Sequence, residues 1–472
     1  MKMSLMTLLT ATTLLAGSLT TNADADKVAV PEELKQRVEA EGWSQQWHDE
    51  LYTHEDPAVG AAVRQMLRAK RDAAALQSGL VVHEWGSMQH HLGTNTSEFD
   101  LIGEDQSDLP SFVKVWADQP ALVPQIIRKP ILYFYTQKQQ KVNVTVRFPE
   151  GVLTQWYPDV TAFSPQPNHS RRPGGNQAPP ARNGSLSWIQ VDLNPDTDMS
   201  KFAEVAADHP WWHIARETDA TPVQVTDQRG RGVQGAQAIE RFLFYRGAGS
   251  YTPMVLPTRS DDRKDLSVTV PFSQIDLRGV FLVRVNDSGA IITHAPVLRA
   301  QTKMDLAGPD AVKPVEQAAK TAKAQLTESL EAAGLFTKEA AGLVEIWGDD
   351  MFTTPGDRLL YIMPSNEVER LLPLNIQPAP SQTVRTLIAW VELSTPEAEK
   401  KVMDLVEKLG SDAWAEREAA NKELRNLDRF AEAILRRALN TTEDAEVKMR
   451  IKQVLDALEE ERRQGKSSAP GQ

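Results

Sequence analysis

Apolar positions recur at helical spacing at both ends of this chain and at every second position through its middle. Residues 31–42 predict a short helix, with Pro31 at its first position and Leu34 and Val38 on one face. A longer helix is expected to about Leu76, capped by Asp56, with Pro57 in its first turn. From Gly79 the period becomes two. KVNVTVRF, residues 141–148, turns Val142, Val144 and Val146 inward and Lys141, Asn143 and Thr145 outward. Strands are also expected at 80–85, 130–135, 152–157, 186–193, 223–226, 239–245, 266–272, 279–286 and 291–298. They are short, rich in β-branched and aromatic residues, and separated by Gly, Pro and Asn, the pattern of an antiparallel sandwich.

A helical pattern returns at 309–333, closed by Gly334, and at 338–347 after a Thr337 cap. Strands resume at 358–363 and 384–393. Beyond Ser394 the chain reads as helix throughout. One helix begins at Pro396 and stops at Gly410; a second carries Trp414, Ala420, Leu424 and Leu427 on one face; a third spans 429–439. A fourth, capped by Thr442, repeats Val447, Ile451, Val454, Leu455 and Leu458. The expected fold is mainly β, an antiparallel sandwich-like core over 79–394 with an inserted helical excursion at 309–347. Helices at 26–78 precede it, an all-α unit at 395–460 follows, and 461–472 form a disordered tail.

Composition adds a compartment. Residues 1–25 combine Lys2, an apolar run from Leu5 to Ala16 and the small-x-small site Ala23-Asp24-Ala25, which predicts a secretory signal peptide and an exported mature chain. No later run is long and apolar enough to span a membrane. The chain has no cysteine, which excludes disulfides, thiolate metal sites and cysteine nucleophiles. A net charge of -12 disfavours nucleic acid as a partner.

Several stretches carry candidate chemistry. VVHEWGSMQHH, residues 81–91, holds three histidines and a glutamate. Strand alternation sends His83 and Glu84 to opposite faces, so they do not ligate one metal together, and a packed strand is expected. DHPWWHIARETD places His209 and His213 four apart, with Asp208 as the expected helix cap. Trp211 and Trp212 are expected to pack on the sandwich; an exposed pair would instead stack on sugar rings. Asp192, Asn194, Asp196 and Asp198 alternate oxygen donors as a loose calcium loop would, although the EF-hand glycine and glutamate are missing. GRGVQG at 230–235 has dinucleotide-loop spacing but precedes a strand pattern, so a hairpin loop is expected.

VVHEWG, LPSFV, KPILYFYT, GVLTQWYP, ERFLFYRGAG, the EIWGDDMF and RLLYIMP pair and VELSTPEAEK occur in this order. In that order the chain resembles a group of uncharacterised exported bacterial proteins, over roughly residues 80–400. Their opening motif continues with Thr-Phe, where Ser87-Met88 stand here. LGSDAWAEREAANKELRNL resembles HEAT-like helical repeats. The resemblance implies no activity.

Two functions follow. The first is a non-catalytic exported binding or scaffold protein for a glycan or protein partner, docking through its helical C-terminal unit. Its binding residues would be Trp85, Trp156, Tyr157, Trp211, Trp212 and Arg246. The second is a metal-dependent hydrolase of extracellular polymers. His83, His209, His213 and His294 would supply its transition-metal ligands, since three imidazoles around an open position suffice to activate water. Calcium at residues 192–198 remains open in either case.

Overall fold

The computed structural model describes residues 28–93, 101–102, 109–115, 122–123, 125–164, 182–226, 237–249, 251, 253–260, 265–394, 396–427 and 429–463. The expected signal peptide, the 230–235 loop, residues 165–181 and the tail beyond 463 lie outside them.

The chain divides into two compact units, residues 1–71 and 72–472. In the first, helices α1 (Glu32–Glu41) and α2 (Gln45–Glu50) join the start of α3 (Pro57–Gln77). Val38, Trp47, Leu51, Val59, Val63 and Leu67 form their core. Asp56 caps α3 as expected, its carboxylate accepting from the Ala58 amide at 2.9 Å.

The second unit carries strands β1 (Val81–Leu92), β2 (Leu101–Ile102), β3 (Lys114–Val115), β4 (Leu122–Val123), β5 (Gln125–Tyr135), β6 (Gln140–Phe148) and β7 (Gly151–Tyr157). Next come β8 (Ala162–Ser164), β9 (Gly184–Leu193), helix α4 (Pro210–Arg216), β10 (Val223–Thr226), β11 (Gln237–Glu240) and β12 (Leu243–Gly249). They are followed by β13 (Pro257–Arg259), β14 (Leu266–Thr269), β15 (Leu277–Asn286), β16 (Gly289–Leu298) and β17 (Lys303–Asp305). Helices α5 (Val315–Ala332) and α6 (Thr337–Phe352) lead to β18 (Gly356–Ile362), α7 (Ser365–Leu371), β19 (Leu374–Gln377) and β20 (Gln382–Leu393). Four helices close the described chain: α8 (Pro396–Leu409), α9 (Trp414–Asn426), α10 (Arg429–Thr441) and α11 (Ala445–Arg463).

A nine-stranded sheet runs in the order β16-β15-β18-β20-β1-β5-β12-β7-β3, and a second sheet in the order β11-β10-β9-β6-β19, with β8 on β9. Two small sheets accompany them, β13-β14-β17 and β2-β4. The pairing is antiparallel apart from β1 and β20, which run parallel, Val81 beside Gln382 and Leu92 beside Leu393. The first and last strands of the β-region therefore meet at the centre of the large sheet.

One face of that sheet packs on the second: Val82, Leu132 and Leu387 share a cluster with Val142, Val144 and Trp188. Its other face lies under helices, where Val81, Trp85 and Tyr133 cluster with Trp212, Leu343 and Trp347. The expectation of a mainly β chain is corrected to a mixed one, 39% helical and 33% strand, because helices cover one face of the sheet and occupy both ends of the chain. The inward valines of β6 stand as expected, all buried. The helix cap expected at Thr337 is replaced by Phe336, whose amide donates to Glu339 at 2.8 Å, and α6 continues to Phe352.

Candidate functional site

Every residue of β1 is buried. It is a central strand with both faces covered, so VVHEWGSMQHHL is one strand throughout, rather than a strand ending at Trp85. On the helix-covered face, His83 Nδ1 lies 2.7 Å from Glu339 of α6, with its ring 4.3 Å from Phe336. On the opposite face, Glu84 accepts from the Tyr245 hydroxyl and from Arg385 Nε, the latter at 2.6 Å. Both side chains are fully buried, and each is matched by a group from a distant part of the chain.

The same arrangement repeats around the sheet. Glu392 holds Arg358 through contacts of 3.1 and 3.0 Å and accepts from the Trp390 indole at 2.6 Å. Glu240 takes Arg216 at 2.9 and 2.7 Å and the Trp212 indole at 3.0 Å. Asp357 takes a two-pronged contact from Arg284, both prongs 2.8 Å, and a third from Arg259 at 2.9 Å. A buried carboxylate is costly unless paired and fully hydrogen-bonded, and these are. Their geometry is that of a scaffold.

The expected binding residues are placed inside it. Trp85 meets Trp347 edge-on at 5.8 Å. Trp156 donates to Asp159 at 3.1 Å and stacks near Phe163. Tyr157 lies between Phe112 and Trp212. Trp211 and Trp212 pack on Phe244. Arg246 is buried on β12. Trp211 and Trp212 pack as expected, so the sugar-stacking alternative for an exposed pair does not arise, and the apolar area of Trp85, Trp156 and Tyr157 is likewise consumed by the core.

The four histidines are not gathered into one site. His83 is committed to Glu339, and His294 on β16 stacks on Phe281 at 4.3 Å. Burial pushes the His294 pKa down to about 4. His209 precedes α4, 3.6 Å from Asp208, and His213 is exposed on that helix. The expected Asp208 cap of α4 is corrected too: His209 holds the N-cap position, and no side chain caps it. Among the described residues, no group of three or more His, Asp or Glu side chains is placed to hold a metal. The side-chain oxygens of Asp192, Asn194 and Asp198 serve the chain itself. Asp192 accepts from Gln139 on both oxygens, Asn194 accepts from the Asp196 amide at 3.0 Å, and Asp198 accepts from the Ser200 amide at 3.0 Å. The Asn194 and Asp198 bonds are turn and cap bonds, the ordinary work of Asx residues.

The C-terminal helices present the opposite picture. Val402, Leu405, Leu409, Leu424, Leu435 and Ile451 share a small core. Trp414, expected on the inner face, is 70% exposed at the first position of α9, because the helix starts there and its stripe begins at Ala420. Met403 and Met449 are also exposed on this unit. The other described tryptophans are buried or half-buried.

Sequence reasoning missed Glu339, Arg385, Gln155, Arg358 and Glu392. For Glu392 the available signal was a polar residue at a strand position between two apolar neighbours, Val391 and Leu393; the other four carry no such pattern.

No protein-family profile matches this chain, and no curated protein matches it. Among solved structures, the Fcho1 Mu homology domain of Danio rerio with bound Eps15 peptide aligns with 67% of this chain and 97% of that one. Identity is 9% and the TM-score 0.23, too low for any argument about fold or binding.

Proposed function

We propose that this chain is an exported, non-catalytic scaffold protein that docks a protein partner through its helical unit, residues 396–463. The observation that carries the reading is Trp414, 70% exposed on a unit that buries its other large apolar stripe residues. Tryptophan supplies the strongest anchors at protein interfaces, and an exposed one costs solubility unless it is covered in use. Met403 and Met449 add adaptable apolar area on the same unit. The buried carboxylate pairs support the scaffold half of the reading, since each holds strands or helices in fixed register. Export rests on the residues 1–25 pattern, and the motif order shared with exported bacterial proteins points the same way. The stacked helix pairs of 396–463 fit a HEAT-like arrangement.

The test places a photo-crosslinking residue at position 414 and, as a control on another face of α9, at exposed Ala419. A discrete adduct at 414 that is missing at 419, together with loss of the same partner from Trp414→Ala, is the expected result. A chain ending at Ser394 that keeps the partner would overturn the docking role.

A further inference from the structure

The end of α8 and the starts of α9 and α11 come together in the C-terminal unit. Gly410, just past α8, lies so close to Val447 of α11 that an added Cβ would stand 3.0 Å from its Cγ2. Trp414 opens α9 a few residues later and is mostly exposed. The turn before it is pinned. Arg417 Nη1 donates to the carbonyls of Ser411 and Asp412 at 2.7 and 2.8 Å, and Ser411 Oγ donates to Glu416 at 2.5 Å. Asp444 fixes the start of α11 through the Glu446 and Val447 amides, at 2.8 and 3.1 Å.

Negative charge dominates this end. Asp412, Glu416, Glu418, Glu443, Asp444 and Glu446 are all exposed. Residues 407–418 and 442–450 together carry seven acids against four bases, Lys408, Arg417, Lys448 and Arg450. Two of those bases are engaged, Arg417 on the turn and Arg450 on Glu446 at 2.6 Å. The amide ends of α9 and α11 return only about half a unit of positive charge each. Glu418 stands one turn beyond Trp414 on the same face of α9, so an acid neighbours the exposed indole.

We infer that this surface takes a basic protein segment, with one arginine or lysine laid over the Trp414 ring and another on Glu418. The inference rests on the docking reading and narrows its partner to one chemistry. An indole face attracts a cation through its quadrupole, tryptophan most strongly, and a guanidinium also stacks on it. The acidic rim favours encounter with a basic partner and repels an acidic one. That rim lies in water, so the attraction weakens with added salt.

The test uses the full chain as wild type, Trp414→Ala, Glu418→Lys and Asp310→Lys, the last at an exposed acid before α5. Labelled peptides alternating glycine with arginine, with glutamine or with glutamate are titrated while anisotropy is followed. The arginine peptide should bind saturably, about tenfold more weakly to Trp414→Ala and to Glu418→Lys, and equally well to Asp310→Lys. The glutamine and glutamate peptides should bind wild type at least ~tenfold more weakly than the arginine peptide. An arginine peptide that binds no better than the glutamine peptide overturns the inference, as does a Trp414→Ala protein that binds it like wild type. Equal losses in Glu418→Lys and Asp310→Lys would reduce the effect to net charge and overturn the site. The photo-adduct at position 414 separates this failure from failure of the docking reading. An adduct that survives Glu418→Lys undiminished keeps docking and overturns the basic partner, whereas no adduct at 414 in the otherwise unaltered chain overturns both.

Discussion

Glu84 and His83 are adjacent in one strand, yet each is bound by a different layer of the molecule. Glu84 is held by Arg385 and Tyr245, and removing it leaves the buried guanidinium with the exposed carboxylate of Glu369. Glu84→Ala is expected to cost about 3–5 kcal/mol in urea unfolding, whereas Tyr245→Phe, which removes one bond to a charged acceptor, should cost about 1.5–3 kcal/mol. Equal and negligible losses would show that the pair is solvated. His294 gives the pH dependence. Burial lowers its pKa from 6.5 to about 4, so between those values the unfolded chain binds the proton that the folded chain refuses. Its contribution is complete above pH 6.5, falls with pH and is lost below about 4. His90, driven down to about 4 by burial, acts in the same direction. Urea midpoints should therefore drop between pH 6.5 and 4, and His294→Gln should drop less steeply than wild type. Parallel curves for the two proteins would remove His294 from this account.

At the scale of elements, the C-terminal helices are sensitive to single changes, because their core is small. Ile451 is fully buried in α11, and Ile451→Asp would place an unpaired charge there, at a cost of at least ~3 kcal/mol. A melting profile identical to wild type would show that α11 does not pack as described. The α11 stripe was legible in the sequence since Val447, Ile451, Val454 and Leu455 repeat at helical spacing, and the same positions are buried. Its start was not: Asp444, rather than the expected Thr442, accepts from the Glu446 amide at 2.8 Å. Both residue types cap helices, and only the backbone path decides between them. β6 was legible because one of its faces is wetter, so polarity alternates. The end of β1 was hidden for the opposite reason. Both faces of that strand are covered, so its polar residues Gln89, His90 and His91 look like a turn although they are buried. Likewise, no local pattern reports that β1 and β20, some three hundred residues apart, are parallel neighbours; that pairing is set by the closure of the whole sheet.

For the whole molecule, the tryptophans divide the chain by role. Trp212 is enclosed by Trp211, Phe242 and Phe244, and its indole donates to Glu240. Trp212→Ala would open a cavity and leave a buried carboxylate short of a donor, so about 3–5 kcal/mol should be lost. Trp414 makes the contrasting case. Mostly in water, it has little to lose on truncation, and Trp414→Ala should change stability by no more than about 0.5 kcal/mol. The two substitutions should separate cleanly: one lowers the unfolding midpoint, and the other leaves it in place while abolishing capture of the partner. Differential scanning calorimetry of both variants beside wild type reads the first quantity, and co-purification reads the second. A Trp414→Ala protein that melts several degrees low would mean that this side chain is covered within its own chain, and the docking surface would then have to be sought elsewhere.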